Sequence, residues 1–396
     1  MRIAVVGAGL GGVAAAAGLH RLGHEVTLFE RGPELREAGT GIVVMPNGLR
    51  ALDALGLGGD VRGHVMRVSG GGLRDWRGRP LLVTDLAQAR QEVEMPAMAD
   101  RAELHRALRA PLPAGLVRTA TPVERLEPGP AGVTLISGGG GPVARADAVI
   151  AADGTHSTLR AQLFPGHPGV RRTGRMDLRG MLPRPAGLAT ELLATQLVDR
   201  RSGAMFGLFP IGENRLYWFT DSVLHGGPPG ADEARRQMLA LMADWHPLVT
   251  ALIEATPPAD VHVDAISHLA EPLPAFAAGR VALLGDAAHA MSPDLGQGAA
   301  QAFEDAAALC RHLAGAEPAD AARRLLDYDA ERRPSANRVM RAASRQSRLT
   351  SRTGIAASLR DTLLRAVPSR LATRRLAALW HVQDEPPGAR DVAAGQ

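Results

Sequence analysis

Near the start of the chain, Gly7-Ala8-Gly9-Leu10-Gly11-Gly12 is followed, eighteen residues beyond Gly12, by the carboxylate of Glu30. These residue types at this spacing can hold the pyrophosphate of a dinucleotide. Gly7 allows a tight turn, Gly9 lets backbone approach phosphate, and Gly12 permits close packing of helix on strand. The helix beyond Gly9 offers unpaired N–H groups and the positive end of a dipole to an anion. Glu30, at the end of a second strand, can accept hydrogen bonds from ribose hydroxyls. The turn alone does not separate one dinucleotide from another.

The surrounding elements suit that task. Ile3, Val5 and Val6 form an apolar run for a strand buried on both faces, so the pattern predicts a βαβ unit: strand Arg2–Val6, helix Val13–Leu22, strand His24–Glu30. A helix starting near Asn47 carries Leu49, Leu52 and Leu55 at helical spacing until Gly56, Gly58 and Gly59 stop it. Residues 61–97 read as irregular strands, and Arg101–Leu108 as a helix. Leu116–Arg125 and Val133–Leu135 lead through Gly138–Gly141 into Ala148–Ala152; that glycine run reads as a hairpin loop, since no helix start follows it. From 171 to 270 the character changes. Short apolar segments such as Ala204–Phe209 and Arg215–Thr220 alternate with Pro/Gly turns, and a helix fits Asp232–Ala243. A buried strand, Arg280–Leu284, a long helix over Gly298–Leu313, and arginine-rich helices from Ala321 complete the chain. The expected fold class is α/β. A Rossmann-like nucleotide-binding domain (1–70, 98–170, 275–345) holds an inserted strand-rich substrate domain (71–97, 171–274), and C-terminal helices and a tail follow (346–396), disordered after about Glu385. No internal repeat is present.

Two later motifs complete the pattern. Val281–Asp286 with Ala287-Ala288-His289 and Pro293-Asp294-Leu295-Gly296-Gln297-Gly298 resembles the second flavin motif of the single-component FAD-dependent monooxygenases, the p-hydroxybenzoate hydroxylase-like superfamily, especially its salicylate and urate hydroxylase-like members. Ala151-Ala152-Asp153-Gly154-Thr155-His156-Ser157 resembles that family's DG motif. Pro46-Asn47-Gly48, Asp100-Arg101-Ala102-Glu103-Leu104 and Glu331-Arg332-Arg333-Pro334 also match, and the resemblance runs from about residue 1 to 345.

The resemblance implies FAD at Gly7, Gly9, Gly11 and Gly12, with Glu30 and Arg31 flanking the adenosine and backbone at Val43 and Val123 lining the cofactor. Arg101 is implied at the flavin's polar linker, Asp153 in the pyrophosphate loop and the pyridine-nucleotide approach, and Asp286 at the ribityl chain. Gly296, Gln297, Gly298 and Ala299 are implied at the N1–C2 carbonyl edge of the isoalloxazine, where a helix-end dipole stabilises reduced flavin. His289 is implied to pack and hydrogen-bond; Asp294 either caps a turn or touches substrate. Met205, Gly207 and Phe209 alternate to one side of a strand, and Tyr217 and Phe219 share a face of the next. By resemblance this sheet roofs the substrate: Tyr217 matches an active-site tyrosine of the urate hydroxylase-like members, and Met205 stands where they carry a substrate-binding arginine. That departure favours a more apolar substrate.

The implied function is an FAD-dependent monooxygenase using NADH or NADPH and O2 to hydroxylate an aromatic or other apolar organic small molecule through a flavin C4a-hydroperoxide. Epoxidation, a flavin-dependent reductase or dehydrogenase, and a non-catalytic flavin-binding scaffold stand as alternatives, and no catalytic acid or base is assigned. A flavin-dependent halogenase needs a lysine, and all 45 basic residues are arginine. The net charge of +4 in 396 residues gives no field for nucleic acid. A single cysteine, Cys310, excludes an intramolecular disulfide and a cysteine-rich metal site and reads as a small buried helix residue; no metal is expected. Met1-Arg2 and the Ala-rich run after it could pass for a secretory signal, but a buried strand and nucleotide-spaced glycines read better there. With no eighteen-residue apolar run, no membrane span is expected, and the reading is a cytoplasmic monomer or homodimer. Only 2 Tyr and 3% aromatic residues point to an aliphatic pocket.

Overall fold

The computed structural model describes residues 1–35, 39–68, 71–83, 95–186, 188, 192–223, 229–369 and 371. The tail expected to be disordered after Glu385, and 84–94 of the expected irregular strands, lie outside the described residues.

Val5 pairs in parallel with Leu28 on one side and Ile150 on the other, so the apolar run at the N-terminus becomes the middle of a sheet. The sheet has six strands in the order Ala277–Ala278, Val281–Leu283, Ala148–Ala151, Arg2–Val6, Glu25–Phe29, Val117–Arg118, all parallel except the first. Ile3, Ala4 and Val5 are fully buried, as a strand covered on both faces requires. The first helix spans Leu10–Arg21 and starts earlier than the periodicity indicated, because Gly11 and Gly12 form its first turn. It packs against Gly298–Leu313, whose limits match the sequence reading. Gly18 sets the spacing: a Cβ there would lie 2.6 Å from Cys310 Sγ and 2.6 Å from a Leu55 methyl. Cys310 is buried, and burial pushes its thiol up to about 12, so it behaves as a small apolar residue.

The second large sheet is mainly antiparallel. Its seven strands run in the order Val261–Leu269, Val170–Pro183, Arg215–Val223, Met205–Ile211, Thr195–Val198, Gly72–Asp75, Pro80–Val83. Alternation divides the faces. Leu178, Leu182, Phe206, Leu208, Leu216 and Trp218 form one core with the helices Ala231–Leu241 and Pro247–Ala255. Trp218 stacks 6.0 Å from Phe206 and donates its indole N–H to Thr256 at 2.8 Å. The opposite face carries Asp177, Arg179, Met181, Gly207, Phe209, Tyr217, Phe219 and Asp221, which share the alternate register. The helix Pro247–Ala255 was not apparent from apolar periodicity, although Pro247 at its first turn and the His246 cap mark its start.

Two three-stranded sheets connect these layers. Val123–Gly129, Gly132–Ser137 and Pro142–Ala146 form the expected hairpin array, with Gly138–Gly141 as its loop. Gly41–Val44, Ala97–Asp100 and Val65–Arg67 form the other. Arg215 pins the large antiparallel sheet to the nucleotide-binding side, reaching Asp100 at 2.7 Å and Glu103 at 2.9 Å. Asp100 simultaneously caps the helix Arg101–Arg109, accepting from Ala102 N at 2.8 Å and Glu103 N at 3.3 Å. No helix among the described residues is long and apolar enough to cross a membrane.

The helix contact at Gly18 yields a direct test. Gly18→Val should destabilise by about 1–3 kcal/mol through overpacking, read as a lower urea midpoint at unchanged slope.

Candidate active site

The four glycines of the first turn divide by what constrains them. Gly7 has φ +102°, and a Cβ there would sit 2.3 Å from Ala152 O. A Cβ on Gly12 would lie 2.0 Å from Gly7 O, and on Gly11 2.6 Å from a Leu284 methyl. Gly9 alone faces open space, with nothing within 4 Å. The protein's own packing requires hydrogen at three positions. The fourth glycine leaves a cradle at the helix N-terminus, where a phosphate can approach.

The peptide of Ala8 in this turn is held at both ends. Its N–H donates to Glu30 Oε2 at 2.9 Å, and its carbonyl lies 2.7 Å from His105 Nε2. Glu30 Oε1 accepts from Gly32 N at 2.8 Å, so both carboxylate oxygens shape backbone, where the sequence suggested ribose hydroxyls alone. His105 was not singled out from the sequence; its place beside Leu104 and Leu108 on the buried stripe of Arg101–Arg109 is the available signal. Beyond Glu30, Arg31 is exposed, and Thr121 N donates to Glu30 O at 2.9 Å, which brings Val123 beside the same end of the cleft. Arg101 starts its helix with its N–H on Thr40 O at 2.9 Å.

Across the sheet, Asp153 accepts from Ser157 Oγ at 2.6 Å and from Leu159 N at 3.2 Å, shaping the entry to the helix Thr158–Leu163. Asp286 is exposed, follows Gly285 at φ +62°, and accepts from Thr155 Oγ1 at 2.9 Å. Arg160, absent from the sequence reading, ties the two motifs together. Its buried guanidinium donates to Thr155 O at 2.8 Å and Ala287 O at 3.2 Å, and burial lowers its pKa.

Beneath Gly285 lies a buried charged network. Asp305 accepts from Gly285 N at 2.9 Å, faces His289 Nε2 at 2.6 Å, and accepts from Arg332 Nε at 2.8 Å. Burial alone would raise the Asp305 carboxyl, but His289 and Arg332 outweigh it and hold it below its ordinary value. Arg332 continues to Gln301 at 2.9 Å and Glu304 at 3.0 Å, and Asn47 joins Glu304 at 3.0 Å to Gln297 at 3.1 Å. His289 is fully enclosed in this network.

Gln297 leads into the turn that meets the antiparallel sheet. Gly296 has φ +62°, and a Cβ there would lie 2.6 Å from Val43 Cγ1. Gly298 and Ala299 open the following helix, and a Cβ on Gly298 would meet nothing within 4 Å. A Cβ on Gly41 would fall 2.3 Å from the Tyr217 ring, so the strand Gly41–Val44 lies between the glycine turn and the sheet. Asp294 neither caps a turn nor stands free: it accepts from Thr350 Oγ1 at 3.0 Å and from Ser292 Oγ. Three rings stand on this face, packed with the aliphatic side chains of Val43, Val68, Met98, Met181 and Ile211. Phe219 stacks 6.1 Å from Phe209, and Tyr217 lies 6.1 Å from Phe219. Three of the chain's 13 Phe, Tyr and Trp residues stand together here. Gly207 makes room for Phe219, whose ring would sit 2.2 Å from a Cβ there. Met205 is buried at the edge of this wall with Leu81 and Val198.

A family model described as an FAD binding domain matches residues 1–343. The FAD-dependent urate hydroxylase of Klebsiella pneumoniae is 34% identical over 84% of this chain and 86% of its own length. The chain belongs to the p-hydroxybenzoate hydroxylase-like FAD-dependent monooxygenases. A second member, the 6-hydroxynicotinate 3-monooxygenase of Bordetella bronchiseptica, is 33% identical over 86% of this chain and 90% of its own. The crystal structure of Klebsiella pneumoniae HpxO complexed with FAD and uric acid superposes with a TM-score of 0.87 at 28% identity, covering 96% of each chain. The cradle at Gly9 fits the cofactor of this monooxygenase family.

Two substitutions separate cofactor from fold. Gly9→Ala should leave the thermal stability of cofactor-free protein within about 0.5 kcal/mol of the parent and weaken FAD binding by about tenfold or more in a fluorescence titration. Gly12→Ala should lower both. Arg332→Met should destabilise by about 3–5 kcal/mol in denaturant unfolding, because it leaves the buried Asp305 carboxylate without its guanidinium partner.

Proposed function

We propose that this FAD-dependent monooxygenase uses NADH or NADPH and O2 to hydroxylate an aromatic or heteroaromatic small molecule held between the Gly296–Ala299 turn and the Tyr217–Phe219 wall. The observation that carries this reading is the ring-lined face set against a glycine turn that opens a sixteen-residue helix. When bound, FAD supplies acceptance of hydride from the nicotinamide and activation of O2.

The chain's own residues bind, orient and exclude water. Gly7, Gly9, Gly11 and Gly12 cradle the pyrophosphate, Asp153 shapes the adjoining loop, and Glu30, Arg31, Val43 and Val123 line the adenosine side. Arg101 serves the polar linker and Asp286 the ribityl hydroxyls. Gly296, Gln297, Gly298 and Ala299 present N–H groups and the positive helix end to the pyrimidine edge of the flavin ring. Met205, Gly207, Phe209 and Phe219 shape the substrate's apolar surroundings and keep water out. Burial pushes the Tyr217 phenol above its ordinary range, helped by the charge of Asp177, so Tyr217 keeps its proton as a donor toward substrate. The rings favour an aromatic substrate, and the names of the relatives, which act on urate and on 6-hydroxynicotinate, support the same class. Methionine at 205 sets this chain apart from a urate-type site. The division into a flavin domain, an inserted substrate domain and C-terminal helices, a cytoplasmic location, and a monomer or homodimer complete the proposal.

The test is oxygen incorporation. With a panel of hydroxylated aromatic and heteroaromatic acids, at least one should stimulate NAD(P)H consumption and yield a product carrying one atom from ¹⁸O₂ by mass spectrometry. Consumption that only reduces O2 to hydrogen peroxide across the panel would move the reading to a reductase.

A further inference from the structure

One charged group on the ring-lined face has no task in the reading above. Asp177 and Arg179 lie on the strand Val170–Pro183, in register with Asp221 and Phe219, while Met181 is in register with Tyr217. All share the face on which the Tyr217 ring meets Gly41. Asp264 and His262 stand opposite them on the outer strand. Arg179 Nη2 donates to Asp264. Its Nε stands 3.4 Å from Asp177 Oδ2 but lacks hydrogen-bond geometry. The result is a donor, Arg179 Nε, and an acceptor, Asp177 Oδ1, both buried and both without a partner.

The neighbouring acid–base pair on the same face is bonded differently. Arg175 and Asp221 lie farther along the same face, where Arg175 Nε meets Asp221 Oδ1 at 2.6 Å and Nη2 reaches Gly203 O at 2.9 Å. That pair is satisfied internally. The pair at 177 and 179 is not, and unsatisfied buried polar atoms in a native fold call for a partner.

We infer that Arg179 and Asp177 are specificity-determining residues that take the hydrogen-bonding edge of an aromatic substrate, a ring N–H or O–H beside a carbonyl or ring oxygen, while the ring lies on Phe219. The inference rests on the proposed aromatic substrate and narrows it. Phe219 is directly cross-strand from Arg179, so a ring stacked on it presents one edge to the guanidinium. A lactam edge offers an oxygen to Arg179 and a hydrogen to Asp177 side by side. An all-carbon apolar ring offers neither and leaves both atoms unpaired, a basis for discrimination against it. Tyr217, in register with Met181 on the same strand as Arg179, joins this polar end to the wall beside Gly41. Burial, with Asp221 and Asp264 adding to it and Arg179 opposing, pushes the Asp177 carboxyl well above the usual carboxylate range. A carboxyl that keeps its proton on Oδ2 still accepts at Oδ1.

The experiment compares 2-quinolone with its N-methyl analogue, which keeps ring and carbonyl but lacks the N–H. Binding to the FAD-loaded full chain is read from the perturbation of flavin absorbance, without turnover. The parent should bind 2-quinolone about tenfold or more tighter than the N-methyl compound. Arg179→Met and Asp177→Ala should each bring the two affinities within about twofold, mainly by weakening 2-quinolone, with FAD content unchanged. A variant that loses FAD is replaced in the same comparison by Arg179→Leu or Asp177→Val, which likewise remove the donor or the acceptor, with the same expectation. A parent that binds neither probe, a parent that does not discriminate, or discrimination that survives in the FAD-loaded variants would overturn the inference. Because binding is read without turnover, failure of the monooxygenase reading would appear separately, as absent ¹⁸O incorporation beside intact discrimination.

Discussion

The contact between Gly12 and the carbonyl of Gly7 is the constraint from which the rest of the site follows. At 2.0 Å from where a Cβ would stand, only hydrogen fits, and this fixes where the first helix leaves the central sheet. The helix then meets Gly298–Leu313 across Gly18, so the position of the second helix depends on the first. The second helix begins at Gly298 and carries Asp305, whose carboxylate holds Gly285 N. Both glycine-bearing ends of the cleft are thereby set by one close backbone approach.

Buried charge is handled in two ways. Around Asp305, each partner is itself hydrogen-bonded, and the network joins Gly285, His289, Arg332, Gln301, Glu304, Gln297 and Asn47 into a rigid floor. Such groups order backbone when fully satisfied. On the facing wall, Asp177 and Arg179 stay partly unsatisfied among aromatic rings.

Much of this was legible in the sequence where local pattern and local physics coincide. The glycine turn, the strand Arg2–Val6, the helix Gly298–Leu313 and the Gly138–Gly141 hairpin follow from spacing and turn chemistry within a few residues. The residues that were missed act over long sequence separations. His105 reaches Ala8 across 97 positions and Arg160 reaches Ala287 across 127, and neither pairing leaves a periodic trace. Composition could not place the rings, because a low total of aromatic residues says nothing of their position; Phe209, Tyr217 and Phe219 stand together only once the strands Met205–Ile211 and Arg215–Val223 pair. The charged pair at 177 and 179 was hidden for the same reason, since its face is defined by cross-strand register.

Asp100 joins both sides of the active site through a single carboxylate. One oxygen caps the helix carrying His105, which holds the Ala8 carbonyl, and the other receives Arg215 from the strand that also bears Tyr217 and Phe219. Any displacement of the substrate wall pulls on the helix that steadies the phosphate turn, and any loosening of that turn is felt at the wall. One carboxylate thus ties the strand that bears Tyr217 and Phe219 to the helix whose His105 meets the Ala8 carbonyl.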